Sequence, residues 1–421
     1  MRYVWIMLAA TLATVDASAA EVAVVQQAAR TTAGTQDFTS SGFGTPKAAM
    51  CLVSYGATNG TAVSHAGLSV GFTDGTRQHA MSVRSKHGVT TTVTGRRADT
   101  TDLLVLADPD GAVILRVQFS AWITNGLRVN YSVAPSTAYQ VSCTLFGGAG
   151  ITNAYVNTVT TPSTVDLSTT VSTVGFQPDV VIGAVNGDGS YNDTNQSQGD
   201  LSIGYAINGA TQKAHSWSDV TGLGTTSVLA RNLSNRIGRS GINSQQVELQ
   251  NFTSSGFDAT TRGSSFSATL GYLALKLSGI AATGLAIDSP TATGSRSITG
   301  INGIPQWGLL VSGAVGSVDT TTIDGNAEAF GLSTFTSAAQ SCVAIASDDA
   351  VTTTATESMV DSKPVCLRKD AGLFYSASFT SFSSGTATFN YATANGTARK
   401  WIGLFLSAPA SGSGAARRRV F

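Results

Sequence analysis

From Glu21 onward the hydrophobic signal has period two. Val113, Leu115, Val117 and Phe119 alternate with Ile114, Arg116, Gln118 and Ser120, and Leu127, Val129, Tyr131 and Val133 alternate with Arg128, Asn130 and Ser132. Such alternation sets one strand face on a core and the other towards water or a partner. Between these runs stand Asn59-Gly60, Asp74-Gly75, Asp110-Gly111, Asn125-Gly126, Asn208-Gly209 and Asn395-Gly396. Asx-Gly pairs tolerate the positive φ that two-residue hairpin turns require. Short strands with such turns predict an all-β sandwich architecture. Only the stretch from Ala20 to Ala29 can also be read with a helical stripe.

The strand pattern recurs. Gly42-Phe43-Gly44-Thr45-Pro46, Gly175-Phe176-Gln177-Pro178 and Gly303-Ile304-Pro305 each open an apolar run, at intervals of roughly 130 residues. A later anchor repeats in phase: Trp122 before Gly126, Phe252 before Gly256, Phe382 before Gly385. Self-similarity at a fixed period is the signature of a repeat architecture, and a unit of this length can bury a core of its own. The expectation is three tandem antiparallel β-sandwich (jelly-roll-like) domains of about 130 residues, at 22–147, 148–279 and 280–408. An N-terminal arm or signal-like segment (1–21) precedes them and a basic tail (409–421) ending Arg417-Arg418-Arg419-Val420-Phe421 follows. Arg2, the apolar run from Tyr3 to Val15 and Ala17-Ser18-Ala19 resemble a cleavable secretory signal. The favoured reading is an arm that docks on a neighbour. No other stretch approaches the ~20 apolar residues of a membrane span.

Charge narrows the functional classes. Only 12% of residues are charged, the formal net charge is zero, and 45 are glycine. No basic field favours nucleic acid. A weakly charged, Ser/Thr-rich chain is expected to be covered by partners, which points to life in an assembly. Cys51 and Cys143 fall in the first repeat and Cys342 and Cys366 in the third, so no shared disulfide framework exists. Buried reduced thiols are the favoured reading, with two intradomain disulfides as the alternative.

Candidate chemistry is sparse. Gly67-Leu68-Ser69-Val70-Gly71 matches the G-x-S-x-G nucleophile elbow, but that motif needs a strand-turn-helix and here a strand continues through it. His65, His79, His87 and His215 lack the short spacing of a zinc site, and Glu21, Glu248, Glu328 and Glu357 are isolated from one another. Asp74, Asp110, Asp188 and Asp324 read as turn residues. The oxygen-rich loop Asn186 to Asp193 lacks the register and terminal Glu of an EF-hand, so a plain loop is preferred. Trp122, Trp217, Trp307 and Trp401 read as core, with sugar stacking as the alternative and Trp217 the least decided. No catalytic, cofactor-binding or metal-binding residue and no cofactor is expected.

The Gly-Phe-x-Pro opening and the later turns Ser254-Ser255-Gly256-Phe257 and Thr124-Asn125-Gly126-Leu127 resemble β-sandwich modules of tailed-bacteriophage and gene-transfer-agent virion proteins. The third copy departs, with Gly-Ile-Pro and Phe-Ser-Ser-Gly. The resemblance covers most of Glu21 to Ala408 and carries no site residue. It implies a non-catalytic structural protein of the virion: capsid decoration, fibre, spike or tail. Its partners would be other virion proteins, copies of itself and a host surface polysaccharide, with no nucleic acid and no membrane span. The alternative is a secreted or cell-surface glycan-binding protein. The loops Ala57–Ala66, Asn186–Gly199 and Ser317–Ala327 diverge between copies, which suits strands held by folding and loops held by individual contacts.

Overall fold

The computed structural model describes residues 22–187, 191, 193–240, 244–319, 327–369 and 372–408. The expected arm or signal, the basic tail, and Asp188 and Asn192 of the oxygen-rich loop lie outside the described residues. The described chain is all-β, and the Ala20–Ala29 ambiguity resolves to a strand, Val22–Ala28.

Six antiparallel sheets form three pairs, each built from a consecutive stretch of chain apart from one short strand added to each of the first and third large sheets from elsewhere. In the first pair the large sheet runs, in spatial order, Val22–Ala28, Gln140–Gly147, Pro46–Ser54, Ala66–Thr73, Gln78–Ser85 and Thr94–Asp99. Its small sheet runs Gly34–Thr39, Gly126–Val133, Val113–Ile123 and Leu104–Ala107. The second pair, from Ile151 to Leu277, and the third, from Ala281 to Ala408, repeat this order strand for strand. Four successive strands stay in the large sheet, so the connectivity is two meanders closed by the terminal strands, not the two Greek keys of a jelly roll.

Gly42, Gly175 and Gly303 have φ of 79, 78 and 90°. The left-handed turn before each central strand is therefore the reason the glycine recurs. At Gly126 and Gly256 an added Cβ would collide with the carbonyl of Phe38 and of Val171, the ends of the neighbouring small-sheet strands.

Each pair has a sandwich core between its two sheets, such as Phe38, Cys51, Leu106, Leu115, Val129 and Leu145 in the first. A further core lies where the three large sheets turn their other faces to one another. It joins Leu52, Val70, Phe72 and Met81 to Ile182, Ile203, Tyr205 and Trp217 and to Trp307, Val311, Phe330 and Ile345. The large-sheet strands are thus buried on both faces: all eight residues of Ala66–Thr73 are buried. That places Ser69, Ser82, Ser202, Ser216, Thr144 and Thr334 inside. The low charge of the chain has this internal cause, and coverage by partners is not needed to explain it.

Both cysteine pairs are disulfides, which corrects the reading as reduced thiols. Cys51 and Cys143 are direct cross-strand partners in the large sheet. Cys342–Cys366 joins the large sheet of the third pair to its small sheet. Spacing alone could not bring these residues together; sheet register does.

Because the central faces have no cover but one another, residues 22–148 expressed alone should expose Leu52, Leu68, Val70 and Phe72 and self-associate. The full chain should unfold in one transition. Size-exclusion chromatography and calorimetry check this, and a monomeric, folded fragment would contradict it.

Candidate functional site

The seams between sheet pairs hold most of the unusual chemistry. Three threonines in phase with the sequence period make the same crossing three times. Thr92 donates its N–H to the Leu223 carbonyl (2.9 Å) and accepts at its own carbonyl from Gly222 (2.8 Å), while the Leu223 N–H donates to Thr92 Oγ1 (2.9 Å). Thr226 does this with Ala350 and Val351 (3.1, 2.9 and 2.9 Å). Thr354 does it with Gly88 and Val89 (2.8, 2.9 and 3.0 Å). First meets second, second meets third, and third meets first. This is a heterologous contact whose rotation closes into a ring.

Each ring neighbour also covers an edge. Gln196–Ser197, from the second pair, adds a strand to Thr94–Asp99 of the first, and Ala62–Ser64, from the first, adds one to Thr356–Asp361 of the third. At the remaining seam Asn232 bridges Val318. The three divergent loops therefore share one task, sealing a neighbour's open edge.

Charged groups cluster at the seam of the first and second pairs. Arg116 pairs with Asp99 (2.9 Å), Asp102 and Asp193, and Arg97 with Asp193 (2.9 Å). Burial, followed by the charge of Asp99, pushes the Asp102 carboxyl up to about 6. Burial also opposes ionisation of Asp99, but hydrogen bonds from Thr101 and Arg116 outweigh it and hold its pKa below the usual range. Asp219 lies where all three pairs meet, accepting from Ser85 Oγ (2.6 Å) and Ser347 Oγ (3.1 Å). Burial raises its pKa to about 6, against those two hydrogen bonds.

The sequence candidates fall elsewhere. Ser69 is fully buried, and its Oγ accepts from the Val105 N–H (3.2 Å). The glycines of the apparent elbow are packing residues. A Cβ on Gly67 would enter the Tyr55 ring, and one on Gly71 the Leu103 carbonyl. Gly204 meets the Ile237 carbonyl in the same way, so this glycine marks where the chain crosses beneath the large sheet.

Glu248 is held by Arg236 (3.1 Å) and Arg262 (2.7 Å), and Glu357 by Arg368 (2.7 Å). Glu328 is buried. Trp217, Trp307 and Trp401 are fully buried and offer no open face to a sugar, while Trp122 is partly buried against Phe119. Among the described residues no group of His, Cys, Asp or Glu has the makings of a metal site, and no helix is long and apolar enough to cross a membrane.

An open concavity of about 890 Å³ lies between the third and first pairs, with Val22, Val24, Ile304, Pro305, Phe379 and Phe382 in its lining. Smaller ones of about 490 and 420 Å³ flank Ala62–Ser64. Comparison with protein-family models, with curated proteins and with solved structures finds no match.

Two substitutions separate packing from catalysis. Ser69→Ala should cost about 1 kcal/mol, the worth of one hydrogen bond, whereas Gly71→Ala should cost about 3 kcal/mol through overpacking. Denaturant melts of the variants measure both, and labelling of Ser69 by a fluorophosphonate probe would contradict the assignment.

Asp219→Asn tests the buried carboxylate. A pKa raised from ~3.9 unfolded to about 6 folded gives a stability contribution that is full below ~3.9 and lost as pH rises through 6. The variant should therefore be more stable than the parent at pH 8, by roughly 1–3 kcal/mol, and no more stable at pH 4. Chemical denaturation at the two pH values decides it.

Proposed function

We propose that the chain is a non-catalytic structural protein of a tailed-bacteriophage or gene-transfer-agent virion, of the decoration, fibre, spike or tail type. It consists of three tandem β-sandwich domains that act as a trimer in one chain. The observation that carries this reading is the closed ring: three like units joined by repeated Thr crossings around a shared core. Such a block presents three similar outward faces about one axis, which suits a seat of threefold or pseudo-threefold symmetry. Among the described residues the side chains that chemistry would need are spent on packing: Ser69 on a backbone amide, Glu248 and Glu357 on arginines, Glu328 in burial. What the molecule offers is contact area, through seam clefts and loop tips, to other virion proteins, to further copies of itself or to a host polysaccharide.

A second reading is favoured by one feature. Two disulfides fit an oxidising compartment, as a secreted or cell-surface glycan-binding protein would experience. On that reading residues 1–19 are a cleaved leader.

Particle composition separates the two. In the virion reading, purified particles from the producing cell contain this protein at fixed stoichiometry, and deletion of its gene yields particles that lack it and assemble or attach poorly. Soluble protein in the medium, processed near Ala19, retained on a glycan array and absent from particles, would replace this reading with the secreted one.

A further inference from the structure

All four histidines of the chain sit at seams between the sheet pairs. His79 of the first pair lies against Gly271 and Tyr191 of the second, with ring centroids of His79 and Tyr191 5.9 Å apart. His215 of the second lies against Gly313 and Phe330 of the third, 5.7 Å from the Phe330 ring. His65 and His87 occupy the remaining seam, between the first and third pairs, where no peptide linker helps closure.

There the two imidazoles and Thr356 form a relay through backbone amides. The His65 backbone N–H donates to the Thr356 carbonyl (2.9 Å), the His87 backbone N–H donates to the His65 ring at Nδ1 (2.9 Å), and the Thr356 backbone N–H donates to the His87 ring at Nδ1 (3.1 Å). Both Nδ1 atoms are acceptors, so both rings must be neutral with the proton on Nε2. A second proton would turn each acceptor into a donor facing an amide N–H. The relay adjoins the added strand Ala62–Ser64 and the Thr354 crossing, so it touches both devices that close this seam.

We propose that this relay is an acid-sensitive latch: protonation of His65 and His87 releases the seam between the first and third sheet pairs and opens the ring there first. The surroundings set the order. Burial, then the neighbouring His87 and Lys86, lower the pKa of His65, against the pull of Asp110. Asp108, Tyr55 and Tyr139 share its cleft. His87 is exposed on the other side of Ala62–Ser64, with Asp348 and Glu357 across the cleft and Glu357 already paired with Arg368. Those carboxylates attract an imidazolium that has turned away from Thr356.

His79 and His215 behave differently. Each is fully buried, and burial pushes each down to about 3, with only the Tyr272 backbone opposing this at His79. The titratable side chain facing His79 is Tyr191, with the Tyr272 backbone beside it, and His215 meets Phe330 and backbone. Neither ring takes up a proton in place through mild acid, because each is fully enclosed, whereas the half-buried His65 can be protonated before its seam opens. The sign is the same for all three lowered histidines: stability is full above the unfolded pKa of ~6.5 and is lost as pH falls towards the folded value, so His79 and His215 lower the stability of the whole fold in acid while their rings stay enclosed.

The test is hydrogen exchange on the full chain, corrected for intrinsic rate, at pH 7.5 and 5. Peptides holding the His87 and Thr356 amides and the 62–64 strand should lose protection at least fivefold at pH 5. Those holding Thr92 with Leu223 and Thr226 with Val351 should lose distinctly less. The pair His65→Asn and His87→Asn leaves a carboxamide oxygen near each Nδ1 and cannot titrate, so it should abolish the acid effect. Equal loosening at all three seams, no loosening at pH 5, or an unchanged acid effect in the double variant would overturn the latch. Should the double variant fold poorly, NMR titration of the parent decides. Seam amides must then follow the His65 and His87 ring protons, and a midpoint near 4, in the carboxylate range, would overturn the proposal equally.

Discussion

The constraint on which the molecule depends is that each large sheet is apolar on two faces. One face is satisfied by its own small sheet, and the other only by the large sheets of both neighbours. A single unit, or a chain of two, leaves that second face in water. At about 25 cal/mol for each Å² of apolar surface, several exposed Val, Leu and Phe side chains outweigh the few kcal/mol by which a domain is stable. Closure is therefore a condition of folding, and the Thr92, Thr226 and Thr354 crossings tie the units together at all three seams.

Much of this was written in the sequence, but at one scale only. Alternation and Asx-Gly turns pointed to strands and hairpins: Asn125 and Asn208 do adopt positive φ. The repeated glycines before each central strand were visible because a left-handed turn tolerates little else. The doubly buried strands were less visible, since a hydroxyl turned into a core looks the same in a sequence as one turned to water. Thr144 and Thr334 meet across the shared core, while Ser69 and its cross-strand partner Ser82 face the small sheet of their own pair. The seam threonines were in phase with the repeat all along, yet a Thr among many Thr carries no mark. The cysteines failed for a related reason: Cys51 and Cys143 are 92 residues apart and meet only through register.

Loop divergence also takes on a different meaning. Loops that vary while strands repeat suggested contacts with outside partners. In the structure Ala62–Ser64, Gln196–Ser197 and the segment at Val318 each seal the edge of an adjacent sheet in the same molecule. The three edges differ in side chains, so each sealing loop has to differ in turn, and variation follows from an internal lock. Among the described residues the exposed large apolar side chains include Leu167 and Phe266 on the second pair.

The same head-to-tail seam that closes within one chain would, between chains, build open filaments or swapped oligomers. Two features bias the outcome towards closure. Successive units are joined by Gly148-Ala149-Gly150 and Ser278-Gly279-Ile280, and such short links hold the next unit at a high effective concentration. Gly148 and Gly279 have φ of 77 and 69°, so the chain reverses sharply at both places. The seam of the third and first pairs has no such link and must close on contacts alone. It carries the added strand, the Thr354 crossing and the His65–His87 relay, three devices drawing on backbone groups that any misaligned neighbour would leave unpaired. An unpaired buried amide costs about 1–3 kcal/mol, so a chain that closes on the wrong copy loses several such terms at once. Specificity for the closed ring thus resides in the polar content of the seam, while the apolar core supplies the drive to close at all.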